Sequence, residues 1–511
     1  MAERLDKKKN MKTNVAYGFV SKTLSILIPF LVRTVVIKVL SEEYLGLDSL
    51  FVSVLRALNL AELGLGNALV YNMYEPVASG DKKRLGQYLN FYRLCYRFIG
   101  LFILTAGLIM LPFIKHFIKG SYPADINIYL LYLIYLINTV LSYWLFAYKN
   151  SVALAYQRTD IESRAAILTN ILSGILQMIL LVLFRNYYVF ALVLPAITII
   201  KNLVVSRFID KNFKDVRPEG HISKKEIRSV MSNVGALFGH QVAFTVVNSA
   251  DNIIISALLG LNKLAVYNNY FYIFQALNGL LVIMFQSIQA GIGNSILLDD
   301  KEEVMRFFKK FRFMIFFIVG FCTSCLMNIY QPFMMVWMGK KLMLPDISTV
   351  CFAAAFYITQ TRKVITTYKN AAGMWKADFL KPYVVIAVDI IIDFLLIKKV
   401  GSTGAVIATA ISMGLIAVPW ECMVLFKKLF KTGLMEHLLF VLRQTIITAF
   451  ACAVCFVSCR AVTVQSAYVS LILCAAITSV LSFLIISVLN LPDKNEREIF
   501  RSLCRRFKLK K

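Results

Sequence analysis

The sequence predicts an all-α polytopic membrane protein, and three observations carry that reading. Apolar runs reach the thickness of a bilayer, basic residues gather in alternate connections, and the first half of the chain recurs in the second. The chain has 511 residues, 59% of them hydrophobic and 17% charged. A soluble chain of that length would divide into domains of about 100–200 residues with polar surfaces. Here run after run approaches 20 residues, which spans about 30 Å of hydrocarbon at 1.5 Å per residue. Backbone groups in lipid must bond within their own segment, so such runs are helices. A transmembrane β-barrel would need short alternating strands, and the sequence has no such series.

Taken in order, the runs give about 14 transmembrane helices, near 13–37, 48–71, 94–114, 127–148, 162–184, 187–208, 233–259, 264–296, 311–337, 347–368, 379–397, 402–426, 436–459 and 467–491. The N-terminus (Arg4, Lys7, Lys8, Lys9, Lys12) and every second connection hold most of the 56 Lys and Arg residues. Those connections are 72–97, 149–164, 201–228, 301–312, 362–381, 427–443 and 494–511. Cytoplasmic loops carry such an excess, which puts both termini in the cytoplasm. The net charge of +27 is therefore a sign of topology and does not imply a nucleic-acid partner. Lys7-Lys8-Lys9 precedes an apolar run longer than a signal core and without a small-residue cleavage site, so the first span is expected to stay. Near the other end, Ile499, Phe500, Leu503 and Phe507 alternate with Arg501, Arg505 and Arg506, the pattern of a helix lying on the inner leaflet. Cys322 and Cys325, like Cys452 and Cys455, have the spacing of a metal or redox pair. Both pairs lie inside apolar runs with no second pair or histidine nearby, and read as small core residues.

Asn14–Gly100 matches Asn233–Val319 without a gap. Along that diagonal Phe19 meets Phe238, Ala57-Leu58-Asn59 meets Ala276-Leu277-Asn278, Asp81-Lys82 meets Asp300-Lys301, and Arg93 meets Arg312. One further residue of slip brings Tyr148-Lys149-Asn150 onto Tyr368-Lys369-Asn370. The repeat divides the chain into a cytoplasmic N-terminus (1–12), an N-lobe of six spans (13–210), a basic cytoplasmic linker (211–232), a C-lobe of six spans (233–431), two spans outside the repeat (432–492) and a basic cytoplasmic tail (493–511). An even number of spans returns each lobe to the side where it began. The two six-helix repeats are then parallel, related by an axis along the membrane normal. The linker is a solvated connection that also suits anionic membrane lipids.

Ionisable side chains inside spans are costly and by default face a bundle interior or a water-filled space. Lys22 and Arg33 lie about three turns apart on one face of the first span, and Arg56 and Asn59 share a face of the second. Through the repeat these four become Gln241, Asn252, Gln275 and Asn278, and Asn248 shares the face of Gln241 and Asn252. The set suggests one central cavity, basic on the N-terminal side and amide-rich on the other. Other readings stay open: Lys22 snorkelling to the cytoplasmic edge, Arg33 at an outer interface, or Arg56 pairing with Glu62, which their spacing on opposite faces disfavours. His240 and Asp251 form either a proton- or ion-sensitive stripe or packing polars. Asp389 and Asp393, one turn apart, and Glu421 are further candidates for coupling to H+ or Na+. No P-loop or Gly-rich phosphate cradle is present, and the loops opposite the basic ones are too short to shape an active site.

Ser41-Glu-Glu-Tyr-Leu-Gly-Leu-Asp48, Ala61-Glu-Leu-Gly-Leu-Gly-Asn67 and Tyr74-Glu-Pro76 resemble the polysaccharide-biosynthesis flippases, the Wzx-like branch of the multidrug/oligosaccharidyl-lipid/polysaccharide (MOP) exporter superfamily. The resemblance runs over about residues 10–430, and Asp251-Asn252 fits it too. It implies a V-shaped MATE/MOP-like bundle that alternates between inward- and outward-open states. The protein would be a non-enzymatic, monomeric flippase in the bacterial cytoplasmic (inner) membrane, without cofactors and working alongside other polysaccharide-assembly proteins. Its cargo would be a polyprenyl-pyrophosphate-linked oligosaccharide, here undecaprenyl, moved to the outer leaflet for capsule, O-antigen or exopolysaccharide. The three cations suit the diphosphate, and the amides with Tyr267 and Tyr270 suit sugar hydroxyls. Two rivals are a MATE-like cation or drug antiporter, which should favour acidic and aromatic groups, and a membrane enzyme acting on lipid-linked sugars, which should show a large outer loop with carboxylates.

Overall fold

A computed structural model of the chain describes residues 7–62, 65–461 and 464–491; the tail helix expected around Ile499–Phe507 lies outside them. Among the described residues there are seventeen α-helices and no strand. Nine helices are long and apolar enough to cross a membrane, ten when the bent pair formed by Ile128–Trp144 and Ala147–Ala155 is one span. The remaining expected spans also fall on helices, but on shorter or more polar ones. By contact the chain divides into two compact units, residues up to Ala265 and residues from Val266 on.

The first unit contains α1 (Lys7–Val39), α2 (Glu42–Leu58), α3 (Leu65–Ser79), α4 (Lys82–Met110), α5 (Ile128–Trp144), α6 (Asn150–Ala155), α7 (Thr159–Phe184), α8 (Tyr187–Asn212) and α9 (Lys224–Leu259). α1 packs along α7, α7 along α8, α8 along α5, and α5 along α4. Phe51, Tyr132, Tyr135 and Tyr187 fill the centre, each 2% exposed or less. The repeat assigns α9 to the second half, yet it packs on α2. At Gly46 the α2 backbone comes so close that a Cβ would stand 2.4 Å from the Leu261 carbonyl oxygen. The Asn262 amide donates to Glu43 at 3.2 Å beside it.

α9 begins with a capping box: the Ser223 hydroxyl accepts from the Glu226 N–H, and the Glu226 carboxylate accepts from the Ser223 N–H. Arg84 and Tyr88 of α4 also donate to that carboxylate, at 3.2 and 3.3 Å. Hydrogen bonds from Ser223 hold the Glu226 carboxyl below its ordinary range.

The second unit is built around α11 (Lys301–Met338), with α10 (Leu261–Leu298) entering from the first unit. α11 packs against α12 (Asp346–Ala371), α16 (Leu434–Arg460) and α17 (Ala467–Asn490). Ile447, Ala451 and Ile486 lock α16 and α17 together, with Phe317 and Phe321 of α11 laid over them. α13 (Lys381–Val400) pairs with α14 (Thr403–Ile411), which continues through a π-helical stretch, Ser412–Ala417, into α15 (Val418–Leu425). A second π-helical turn, Phe426–Phe430, ends that span. Cys452 and Cys455 are buried and free, as the core reading of the cysteines expected, and Cys452 lies 3.4 Å from the Ser324 hydroxyl.

Candidate functional site

The second expected span, 48–71, is not one helix. α2 stops at Leu58, a 3-10 turn covers Asn59–Glu62, and α3 starts at Leu65. The motif around Glu62 sits at this break, and Glu62 has its partners elsewhere in the unit. Its carboxylate accepts from Tyr96 of α4 at 2.6 Å and from Tyr143 of α5 at 2.5 Å. Tyr92 and Tyr96 hydroxyls are 3.1 Å apart. Bonding between neighbouring hydroxyls of this kind polarises the whole chain of groups in a low dielectric. The carboxylate at the end of the 3-10 turn is thus tied to two other helices, and Gly66 at the start of α3 is a residue that tolerates departure from the helical path. Arg56, the last charged residue of α2, is exposed, and Glu62 is bonded to the tyrosines rather than to it. Asn59 closes α2 through its N–H to the Leu55 carbonyl; its side-chain oxygen is buried without a hydrogen-bond donor among the described residues.

Of the α1 pair, Lys22 is exposed and Arg33 half-buried. Arg33 stands within electrostatic reach of Asp48. The Asp48 carboxylate accepts from Tyr135 at 2.7 Å, and Tyr135 meets Tyr187 at 3.1 Å. Asp48 belongs to the Ser41–Asp48 motif, but its tyrosine partners, on α5 and α8, leave no local signal. Asn252 is 8% exposed and donates to the Ser53 hydroxyl of α2 at 2.8 Å; Asp251 beside it is 5% exposed. The side chains of His240, Gln241 and Asn248 lie outside the described residues.

In the second unit, Gln275 and Asn278 are brought together, with two residues that the sequence reading left in a loop tally or passed over. The Asn278 amide donates to Gln275 at 3.0 Å, and the Asn278 oxygen accepts from Gln360 at 3.2 Å. Lys363 donates to the same Asn278 oxygen, and to Gln360 at 3.0 Å. Arg362 and Lys363 had been counted with the basic connection 362–381, whereas α12 runs on to Ala371 and carries both on helix. Lys363 thus adds a cation to the amide set. The ion pairs found among the described residues do not include it, and its ammonium stands 5.6 Å from the Phe285 ring centre. Tyr267 and Tyr270 pack in the core, 1% and 0% exposed, and Tyr270 donates to Gln331 at 2.7 Å.

The acidic candidates of this unit divide in two. Asp389 and Asp393 are fully buried with carboxylate oxygens within 4.8 Å of each other, and the Ser412 hydroxyl donates to Asp389 at 2.6 Å. Glu421 is equally buried but surrounded by cations: Lys381, Lys369 at 3.5 Å and Arg362 at 3.6 Å, with the Thr366 hydroxyl at 2.9 Å. Asp378 completes the group by pairing with Lys369 and, at 2.7 Å, with Lys381. Three cations against two carboxylates make a buried knot of ion pairs, with one positive charge in excess, that ties α12, α13 and α15 together.

The model of the polysaccharide biosynthesis protein family matches residues 11–288. The chain belongs to that family. Its structure is similar to that of a lipid II flippase, MurJ, in an inward-closed conformation, with a TM-score of 0.67 at 16% identity over 94% of this chain and 99% of the other. It is similar too to a multidrug-resistance MATE family transporter of the MOP superfamily. The inward-facing form matches at TM-score 0.60 and 14% identity over 81% of this chain and 98% of the other. The outward-facing form matches at 0.55 and 14% over 83% and 96%. Among curated proteins no sequence matches. The family member is a multi-pass helical membrane protein with the MurJ- and MATE-like fold, as the repeat and the motifs predicted.

Proposed function

We propose that this family member is a flippase that carries a polyprenyl-diphosphate-linked oligosaccharide from the inner to the outer leaflet of a bacterial inner membrane, by alternating access, with both termini in the cytoplasm. The observation that carries the reading is an intramembrane cation, Lys363, held by amides and not ion-paired to a carboxylate among the described residues. Lys363 is held by Asn278 and Gln360 in one unit, and Lys22 and Arg56 are exposed on their helices in the other. A cation placed in the membrane at a cost of about 2.5–3.5 kcal/mol needs a purpose, and a diphosphate supplies one. Guanidinium and ammonium groups bind its oxygens through charge-assisted hydrogen bonds, while amides bond sugar hydroxyls. The polyprenyl chain is as apolar as the bilayer and can stay in it.

The buried pair Asp389–Asp393, with Ser412, is the part of the proposal that concerns energy. Two carboxylates this close cannot both stay charged without a proton or a cation between them. We assign the pair to coupling, through H+ or Na+, and leave Glu421 out because its charge is already matched by Arg362, Lys369 and Lys381.

The test is a translocation assay in proteoliposomes. A labelled polyprenyl-diphosphate oligosaccharide is followed by its exposure to an impermeant glycosidase. Arg56→Ala and Lys363→Ala are each expected to slow translocation roughly tenfold or more, the loss of one charge-assisted contact worth about 1.5–3 kcal/mol. Unchanged transport in both variants removes the cationic reading. Asp389→Asn is expected to abolish the response to an imposed ion gradient while leaving slow, gradient-independent exchange.

A further inference from the structure

Away from these residues, the first unit holds an open cavity of 560 Å³ at the end where α4, α6 and α8 meet the linker. Its walls are Arg93 of α4, Tyr148 and Lys149 just before α6, Asp210 near the end of α8, and linker residues including Lys214 and Arg217. Four cations face two carboxylates, Asp210 and Glu219. Among the described residues only Lys149 of the four is ion-paired, donating to Asp210 at 2.6 Å and to Ser206 at 2.9 Å, while Lys214 and Arg217 stand within electrostatic reach of Asp215. Arg93 donates to Asn90 at 2.8 Å, and its Nε–H is buried without an acceptor among the described residues. Asp215, the next carboxylate along the linker, turns instead to Lys82.

The wall is firmly built. At Gly86 of α4 a Cβ would stand 2.4 Å from the Arg217 carbonyl oxygen, so only glycine admits the linker this closely. The Asn90 amide donates to the Gly220 carbonyl at 2.7 Å. The linker is thereby fixed on α4 before the capping box at Ser223 starts the next helix.

The repeat provides a control within the same chain. Arg93 corresponds to Arg312 and Lys149 to Lys369. In the second unit both are held by carboxylates, although the Arg312 Nε–H is buried without an acceptor among the described residues, as that of Arg93 is. Arg312 is 5% exposed, lies 3.9 Å from the Phe440 ring centre, and reaches Glu436 at 3.6 Å. Lys369 is locked to Asp378 and Glu421. The same two positions are neutralised in one half and line an open basic cavity in the other.

We infer that this cavity is a phosphate-binding site, one that takes a single phosphate or diphosphate group between Arg93, Lys214 and Arg217. Its size falls in the range of small-ligand pockets, about 300–1,000 Å³, and it needs no part of the proposed translocation path. The group comes either from an anionic lipid headgroup or from a soluble phosphate compound, and the chemistry of recognition is shared.

The experiment measures the thermal midpoint of the full chain in nanodiscs of phosphatidylcholine alone or mixed with phosphatidylglycerol, titrated with inorganic pyrophosphate. A stabilisation by pyrophosphate that persists with phosphatidylglycerol present identifies a soluble ligand. One that vanishes because phosphatidylglycerol already stabilises the protein identifies a headgroup. Either result supports the site only when Arg93→Gln and Arg217→Gln each weaken the response roughly tenfold, and when Arg312→Gln does not. Arg217 and Lys214 lie on the linker surface, so Lys214→Gln serves as a second variant should Arg93→Gln fold poorly. No stabilisation by either ligand, or an equal response in the Gln variants, overturns the proposal.

Discussion

α2–α3 and α10 occupy the same place in the repeat and have opposite forms. The first is broken at Asn59–Glu62, whereas α10 runs unbroken through Leu261–Leu298. Mapped through the repeat, Glu62 stands opposite Leu281, Tyr92 opposite Phe311, Tyr96 opposite Ile315 and Gly64 opposite Ile283. Glu62 and Tyr96, bonded to each other across the break, are both apolar in the second half. A carboxylate bonded to two neighbouring helices costs a few backbone hydrogen bonds, and non-helical backbone at membrane depth is tolerated only inside protein or against water. Where the pin is missing, the helix continues, and its Gln275 and Asn278 bond to each other and to Gln360 and Lys363 of α12. One half breaks its helix where the other continues it.

The contrast can be broken at its strongest point, the charges. Glu421→Ala would leave Lys369, Lys381 and Arg362 without their central anion, and removing one member of a buried pair costs about 3–5 kcal/mol. Asp210→Ala, which strips Lys149 at an exposed site, should cost under about 1 kcal/mol. Thermal unfolding in detergent compares the two, and equal losses would mean the halves are alike at this end.

A smaller effect is expected at the break itself. Glu62→Leu gives the first half the residue of the second and leaves the Tyr96 and Tyr143 hydroxyls without an acceptor, a cost of about 1–3 kcal/mol. If the carboxylate is what bends the span, the same variant should protect amides around Asn59 from hydrogen exchange, as a continuing helix would. Exchange unchanged from the parent would show that Gly64 and Gly66 alone set the bend.

The weakest effect belongs to the start of α9. Ser223→Ala removes a cap worth about 1 kcal/mol. Because the Glu226 carboxyl is held below its ordinary value by Ser223, its contribution is complete above the unfolded carboxyl's pKa, about 4.3. It disappears as the pH falls through the lower folded value. The difference between parent and variant should therefore shrink in acid. A gap that widens instead would contradict the capping box.

The helical membrane class could be read from apolar length and the placement of Lys and Arg, because those signals are local or periodic. The break was not legible, because the groups bonded to Glu62, Tyr96 and Tyr143, sit on α4 and α5, far along the chain from it. Lys363 was miscounted for a related reason. Five basic residues between 362 and 381 resemble a loop, and only the carboxylates Asp378 and Glu421, brought in by folding, let α12 stay helical through most of them. The equivalence of Asn59 with Asn278 was visible in sequence, whereas the partners of Asn278 on α12 were not.

α11 carries Arg312, Thr323, Ser324 and Asn328 along a buried face, and α16 supplies the groups that meet three of them: Glu436 for Arg312, Cys452 for Ser324 and the Cys452 carbonyl for Asn328. During synthesis α11 enters the bilayer long before α16 has left the ribosome. Until then Thr323, Ser324 and Asn328 have the carbonyls of their own helix as partners, and Arg312 is without the Glu436 carboxylate. α16 thus arrives late with a second set of partners for a polar face made well before it.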